Sequence, residues 1–391
     1  MTVLVDRDQA FLNAIRQIAE EVAGPSADDV DREARFPIES VDALRATKAL
    51  SAMIPEEYGG GGVSFEAVAA ACYELGRRCG ASAMVFAMHQ IQIAVVVRHV
   101  GGAAWFEEYL RRVAREQRLV ASVTSEIGTG GDLGKSIAAV TPDGPDRGSF
   151  EKQAPTVSYG AHADDLLTTL RRSPHAEAGD QVVALTSRDQ FSLEQKGSWD
   201  PLGMRGTCSP GYVVRAEFPL EQILPTPFSV LATESMVPIS HILWSHLWLG
   251  IATDAFDRAR AFVKASAKSR PEQLPPTAIR LSQLMSDLSL LRAEVSTGLR
   301  DFTEANAEGD RETLSTMTTI LRFNNLKIAA SEQAPRVCLG AMSVCGIVGY
   351  KNDTPFSVGR HLRDTMSACL MVANERIHQT NANLLLIAKD V

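Results

Sequence analysis

Few side chains in this sequence are placed to do chemistry, and their spacing narrows what that chemistry could be. The eight histidines include no His-x-x-x-His pair. His241 and His246 stand five apart and point to different faces of one helix, which disfavours a metal hydrolase. The six cysteines, Cys72, Cys79, Cys208, Cys338, Cys345 and Cys369, are scattered without a Cys-x-x-Cys pair, a pattern that fits reduced thiols and no zinc site. Two groups are candidate bases. His241 titrates near neutrality, although a histidine beside Trp244, His246 and Trp248 is also an ordinary packing residue. Glu375 follows Asn374, which reads as a helix cap, and a carboxylate in a first helical turn is equally a plain surface charge. Glycine clusters complete the set: Gly59 to Gly62, Gly130 with Gly131, and Gly346 with Gly349. Glycine lets backbone approach a ligand closely, but a single such cluster is most simply a turn.

The elements that must position these residues come in three blocks. Phe11, Ile15, Ile18 and Val22 share one helical face, Asp28 to Pro37 reads as a charged connection, and a helix restarts at Ser40 as a capping residue. Phe65 to Arg78 and Ala81 to Val100 read as further helices. From about residue 119 the texture changes to short β-branched runs, Leu119 to Val123, Val182 to Thr186 and Tyr212 to Phe218, broken by Gly, Pro and Asp. Helical spacing returns near residue 235, with Ile251, Ala255, Phe256, Ala259 and Val263 on one stripe and Leu281, Leu284, Leu288 and Leu291 on another. Residues 312 to 342 and 356 to 373 supply two more helical runs. The expected organisation is α+β: a helical domain over 1–118, a central β-barrel or sheet domain over 119–232, and a C-terminal four-helix bundle over 233–391.

Composition bounds the function. Against 39 Lys+Arg stand 47 Asp+Glu, a net charge of −8, and no basic stripe, which argues against nucleic acid and anionic lipid as partners. With 45% hydrophobic and 22% charged residues over 391, the chain is globular and long enough for several packed units. No run approaches the roughly 20 apolar residues of a membrane span. Asp and Arg interrupt the N-terminus where a signal peptide needs its apolar run, so a cytoplasmic location is expected.

Five segments in this order resemble the acyl-CoA dehydrogenase superfamily across almost the whole chain. They are Ile54-Pro55-Glu56-Glu57-Tyr58-Gly59-Gly60 with Gly62 and Ser64; Thr124-Ser125-Glu126 to Gly130-Gly131-Asp132; Trp199 to Thr207 with Ser209; Cys345 to Tyr350; and Arg363-Asp364. The resemblance implies FAD, or FMN, bound between the β domain and the C-terminal helices. It implies contacts to the flavin ring from Thr124 and Ser125, close backbone approach at Gly130 and Gly131, donors from Thr156 and Ser158, and a further cofactor turn at Gly346 and Gly349. Arg205 is expected to hold its loop through its fork of donors. A homotetramer or homodimer is implied, together with an acyl-CoA or acyl carrier protein thioester as substrate and a flavoprotein or oxygen as electron acceptor, in fatty acid metabolism.

The sequence also departs from that pattern. The family's usual glutamate base lies eight residues after the aspartate of the Arg-Asp pair, which here is Val372. The alternative place, ten residues before a glycine, is Ser240 counted back from Gly250. The aromatic of the strand at Pro155 to Gly160 is displaced or missing. The arginine that reaches FAD pyrophosphate has no counterpart near Ser266, where Lys268 or Arg270 could replace its charge, and Ser343 and Ile347 replace a glutamine and a glycine of the fourth segment. Three functions follow. The first is an acyl-thioester dehydrogenase that takes an alpha proton and passes hydride to flavin, with Glu375 or His241 as base. The second is a flavin-dependent monooxygenase of the same fold, which needs no such base. The third is a non-catalytic relative, which the second and third segments disfavour.

Overall fold

A computed structural model describes residues 6–269, 274–307 and 311–388. The first block is helical: α1 (Asp6–Ile18), α2 (Gly24–Arg32), α3 (Ile38–Ala46), α4 (Phe65–Gly76), α5 (Gly80–His99) and α6 (Ala104–Glu116). Two local expectations change. Asp28 to Arg32 belongs to α2 rather than to a connection. The third helix starts at Ile38 behind Pro37, and Ser40 is buried within it, accepting from the Ser82 hydroxyl at 2.9 Å. The helix α5 corrects a third: its 20 residues are long and apolar enough to cross a membrane, but 89% of that window is buried inside the protein, where α5 is the central core helix.

The middle block forms two sheets. In one, β1 (Val120–Val123), β4 (Asp165–Arg171) and β5 (Gln181–Ser187) lie in the order β1-β4-β5, with β1 parallel to β4. In the other, β2 (Thr141–Pro142), β3 (Arg147–Ala154), β6 (Phe191–Lys196) and β7 (Gly211–Pro219) lie in the order β2-β3-β7-β6, antiparallel throughout. Burial alternates along β3, the signature of a sheet with one face on the core, whereas β5 is buried along its whole length.

The last block has a short α7 (Phe228–Leu231) and three long helices, α8 (Val237–Ser269), α9 (Thr277–Ala307) and α10 (Met317–Cys345). After them come α11 (Ile347–Tyr350), α12 (Gly359–Met366) and α13 (Asn374–Leu385). The expected helix over 356–373 is broken: α12 ends at Met366, turns carry the chain past Val372, whose φ of 46° is left-handed, and α13 begins beyond it. The first and last blocks meet backbone to backbone. A Cβ on Gly76 would lie 2.5 Å from the Leu247 carbonyl oxygen, and one on Gly250 would lie 2.3 Å from that of Tyr73, so α4 and α8 cross at a distance only glycine allows. The same junction holds a buried ion cluster. Burial keeps the His361 imidazole down at about 4, hence neutral at pH 7, and its Nε2–H donates to Asp254 at 2.8 Å. Asp254 also accepts from Arg258 at 2.8 Å and from Arg78 at 3.5 Å.

Candidate active site

The Trp199–Ser209 segment is a docking element. Gly203 rests on the backbone of α12, where a Cβ would sit 2.1 Å from the Arg363 carbonyl oxygen, and one on Gly206 would sit 2.3 Å from Val30. The Met204 N–H donates to the Asp364 carboxylate at 2.7 Å, and Arg363 pairs with Asp31 of α2. Burial raises the Asp364 carboxyl to about 6, against the opposing pull of Arg360. Arg205 clamps the loop, with Nε donating to the Asp31 carbonyl at 2.9 Å and Nη1 to the Pro201 carbonyl at 2.9 Å and to Asp200 at 2.7 Å. The glycine turn at Pro55 to Ser64 is structural too: Gly60 packs on Ile54, and the Ser64 side chain caps α4 by accepting from the Ala67 N–H.

The loop after β1 is built differently. Glu126 is buried and closes the base of the excursion, accepting from the Ser136 hydroxyl at 2.7 Å and from the N–H groups of Ile137 and Ala138 at 3.1 and 2.6 Å. Burial opposes its charge, yet the Lys152 ammonium 3.4 Å away and these donors hold its carboxyl below the usual range. Burial brings Lys152 down to about 8, against the attraction of Glu126. Between these anchored ends, Gly128, Gly130 and Gly131 all take positive φ, and Gly130 and Gly131 are exposed. Their neighbour comes from the far end of the chain. A Cβ on Gly130 would be 2.9 Å from Arg376 Nη2, and one on Gly131 would be 3.3 Å from Arg376 Nε.

Beside this loop, the Ser125 hydroxyl donates to the Thr156 carbonyl at 2.7 Å and lies 3.4 Å from the Thr156 hydroxyl, so the two side chains form one pair at the protein surface. Thr124 is half-buried next to them. Ser158 is engaged elsewhere, accepting from Ser209 at 2.9 Å in a chain that continues to Thr207. The expected strand at Pro155 to Gly160 is a series of turns after β3, and its aromatic, Tyr159, turns into the core and donates its hydroxyl to the Val120 carbonyl at 3.0 Å.

The remaining sequence candidates separate. Glu375 is exposed in the first turn of α13, one residue before the Arg376 that reaches the Gly130–Gly131 loop. Asn374 is inside that helix rather than capping it, since the cap position is Ala373. His241 is buried on α8, its Nδ1 3.1 Å from the Phe323 carbonyl oxygen; burial, aided by Lys327, pulls it to about 3. Ser240 donates to the Val237 carbonyl at 2.8 Å. Gly346 and Gly349 lie past the C-terminal end of α10, about 28 Å along its axis from Lys327, where α13 packs. Gly349 packs on Cys345, while a Cβ on Gly346 would touch nothing within 4 Å. Lys268 is exposed in the last turn of α8, and Arg270 lies outside the described residues. Sequence reasoning missed Arg376, a cation that makes no hydrogen bond or ion pair among the described residues. It also missed the buried Lys327, whose Nζ donates to the Val372 carbonyl at 3.0 Å and to Asn374 at 2.6 Å. No cluster of metal-ligating side chains occurs among the described residues.

Residues 6–117 match the acyl-CoA dehydrogenase N-terminal domain family. Cyclohex-1-ene-1-carbonyl-CoA dehydrogenase of Syntrophus aciditrophicus is 24% identical over 370 residues, covering 93% of this chain and 86% of its own. Butyryl-CoA dehydrogenase from Megasphaera elsdenii superposes with a TM-score of 0.79 at 20% identity, over 99% of this chain and 100% of the other. The chain has an acyl-CoA dehydrogenase-like fold and carries that family's N-terminal domain over residues 6–117. The superfamily fold extends to oxygenases: FMN-bound TdsC of Paenibacillus sp. A11-2, a dibenzothiophene monooxygenase, superposes with a TM-score of 0.81 at 21% identity over 96% of this chain and 97% of the other.

Proposed function

We propose that the chain is a flavin-dependent oxidoreductase that dehydrogenates an acyl thioester carried on CoA or an acyl carrier protein, with Glu375 as the base. The carrying observation is the approach of the Arg376 guanidinium, unpaired among the described residues, to the exposed Gly130–Gly131 backbone, with Glu375 preceding it in the first turn of α13. That donor set suits FAD or FMN. Gly130 and Gly131 form a cradle that a Cβ would fill, Arg376 supplies a cation for phosphate, and the Ser125–Thr156 pair offers hydroxyls to a ring edge. A bound flavin supplies the two-electron acceptor. Glu375 takes the alpha proton of the substrate, the beta carbon loses hydride, and the acyl chain gains a double bond. Reoxidation falls to a partner flavoprotein or to oxygen. Within one chain the Gly346 turn stands far from this site and is flanked by exposed Ile347 and Tyr350, so a homo-oligomer, in which a second copy brings that turn to the flavin, completes the proposal.

Monooxygenase chemistry is the second reading, favoured by the residues around Val372. The counted base position carries an alkyl side chain whose carbonyl is tied to Lys327, and His241 is sealed and neutral, so only Glu375 separates the two readings. Anaerobic titration of the flavin-loaded protein with acyl-CoA and acyl carrier protein thioesters decides. Dehydrogenation bleaches the flavin, and Glu375→Gln abolishes both bleaching and alpha-proton exchange while flavin stays bound. Unchanged exchange in Glu375→Gln rejects Glu375. Absence of bleaching, with oxygen transfer to substrate from the reduced protein, replaces the first reading by the second.

A further inference from the structure

Lys327 is a fully buried ammonium that the proposed reaction leaves unused. Burial draws it down to about 8, against the negative potential of Cys369 and Glu332. A cation so desolvated persists where good acceptors compensate it, and here they are the Asn374 side chain and the Val372 carbonyl. Its partners belong to a longer polar seam between two helices. The Ser331 hydroxyl lies 3.2 Å from Asn374 Oδ1, the Asn324 side chain donates to Asn381 at 2.7 Å, and Asn381 donates to Asn325 at 3.0 Å. Asn374 and Asn381 are seven residues apart and share one face of α13, as Asn324 and Ser331 do on α10. An apolar seam could slip along the helix; paired amides and an ammonium fit only one register. Val372 needs such a hold, because a β-branched residue at φ 46° is strained unless its surroundings over-determine it.

We propose that Lys327 is a positioning residue: by holding the Val372 carbonyl and the Asn374 side chain it fixes the register of α13 and thereby seats Arg376 against the Gly130–Gly131 loop, with Glu375 placed one residue before it. Its purpose rests on the flavin reading, but the seating itself does not. Hydrogen exchange of the full chain, as purified, tests the seating. In Lys327→Met, protection falls about tenfold in peptides covering residues 372–385 and 127–135, while α5 keeps its protection. Asn374→Ala gives a smaller loss in the same peptides, and it carries the test if Lys327→Met does not fold. Wild-type protection in both variants overturns the proposal.

Dissociation constants for FMN and FAD over about pH 6 to 10 separate positioning from mere structural support. The groups facing Lys327 are Cys369 and Glu332, with His241 within electrostatic reach and already neutral. Wild-type affinity weakens several-fold as pH rises through about 8, where the charge-assisted hydrogen bonds lose their charge. In Lys327→Met affinity is weak and flat across that range. A flat wild-type profile, with equal affinity in the variant, rejects the positioning role. No flavin binding by the wild type refutes the flavin reading instead, and the exchange comparison still decides what Lys327 holds.

Discussion

At Gly203 a methyl group would land 2.1 Å from a backbone oxygen of α12, whereas at Gly130 it would meet only the guanidinium tip of Arg376 at 2.9 Å. Both glycines belong to the resemblance that points to the fold. The first is glycine because two parts of the protein touch there. The second has a positive φ, an exposed backbone and a flexible side chain as its neighbour. Glycine content alone does not distinguish packing from binding; what a Cβ would strike does.

Substitutions along this contrast give graded outcomes. Gly203→Ala forces rigid backbones apart and is expected to cost about 3 kcal/mol or more, read as a large fall in melting temperature or loss of soluble protein. A melting temperature near wild type would mean the Met204–Asp364 junction is looser than its contacts. Gly130→Ala should cost only about 1 kcal/mol, from the left-handed backbone, yet weaken flavin binding about tenfold by equilibrium titration. Unchanged affinity there would make the open loop a simple turn. Asp364→Asn is the mildest. The Asp364 carboxyl is raised from 3.8 to about 6 by burial, so between those values the folded state binds more protons than the unfolded state and this group makes stability fall as pH rises. Asn keeps the acceptor for Met204 and removes the charge, so the variant should lose that slope in melting curves between about pH 4 and 6 while matching wild type below it. A slope that survives in Asp364→Asn would assign it to another group.

What the sequence made legible follows the range of the interactions involved. The helices α4 and α8 declare themselves because their apolar residues repeat at helical spacing, α5 because it is a long apolar run, and β5 because of its Val182-Val183-Ala184-Leu185 core. The strand β3 is hidden, since its inward positions include Gly148 and Lys152, and Lys152 turns inward to Glu126 and the Thr169 carbonyl. The helix α13 is hidden for a similar reason: its inner face is mostly amide, with Asn374 and Asn381 buried against partners on α10. At the candidate site, Ser125, Gly130 and Gly131 were visible as a motif, and Glu375 as a nearby carboxylate in the count from Asp364. Arg376 was not, because nothing local links it to glycines 246 and 245 residues earlier. The family pattern points instead to Lys268 and Arg270 for that charge.

The glycine crossing of α4 and α8 also bears on how a ligand gets in. With Gly76 and Gly250 each seated on the other helix's backbone, and Asp254 tied to both Arg78 and His361, the outer helical blocks are bolted together. Swinging one block away from the other would break contacts that have no slack. The cheap motion is at the rim, where the glycine excursion held at its base by Glu126 can lift while everything beneath it stays still. Under the proposed function, a bulky planar cofactor exchanges past this loop rather than through a hinge between the helical blocks.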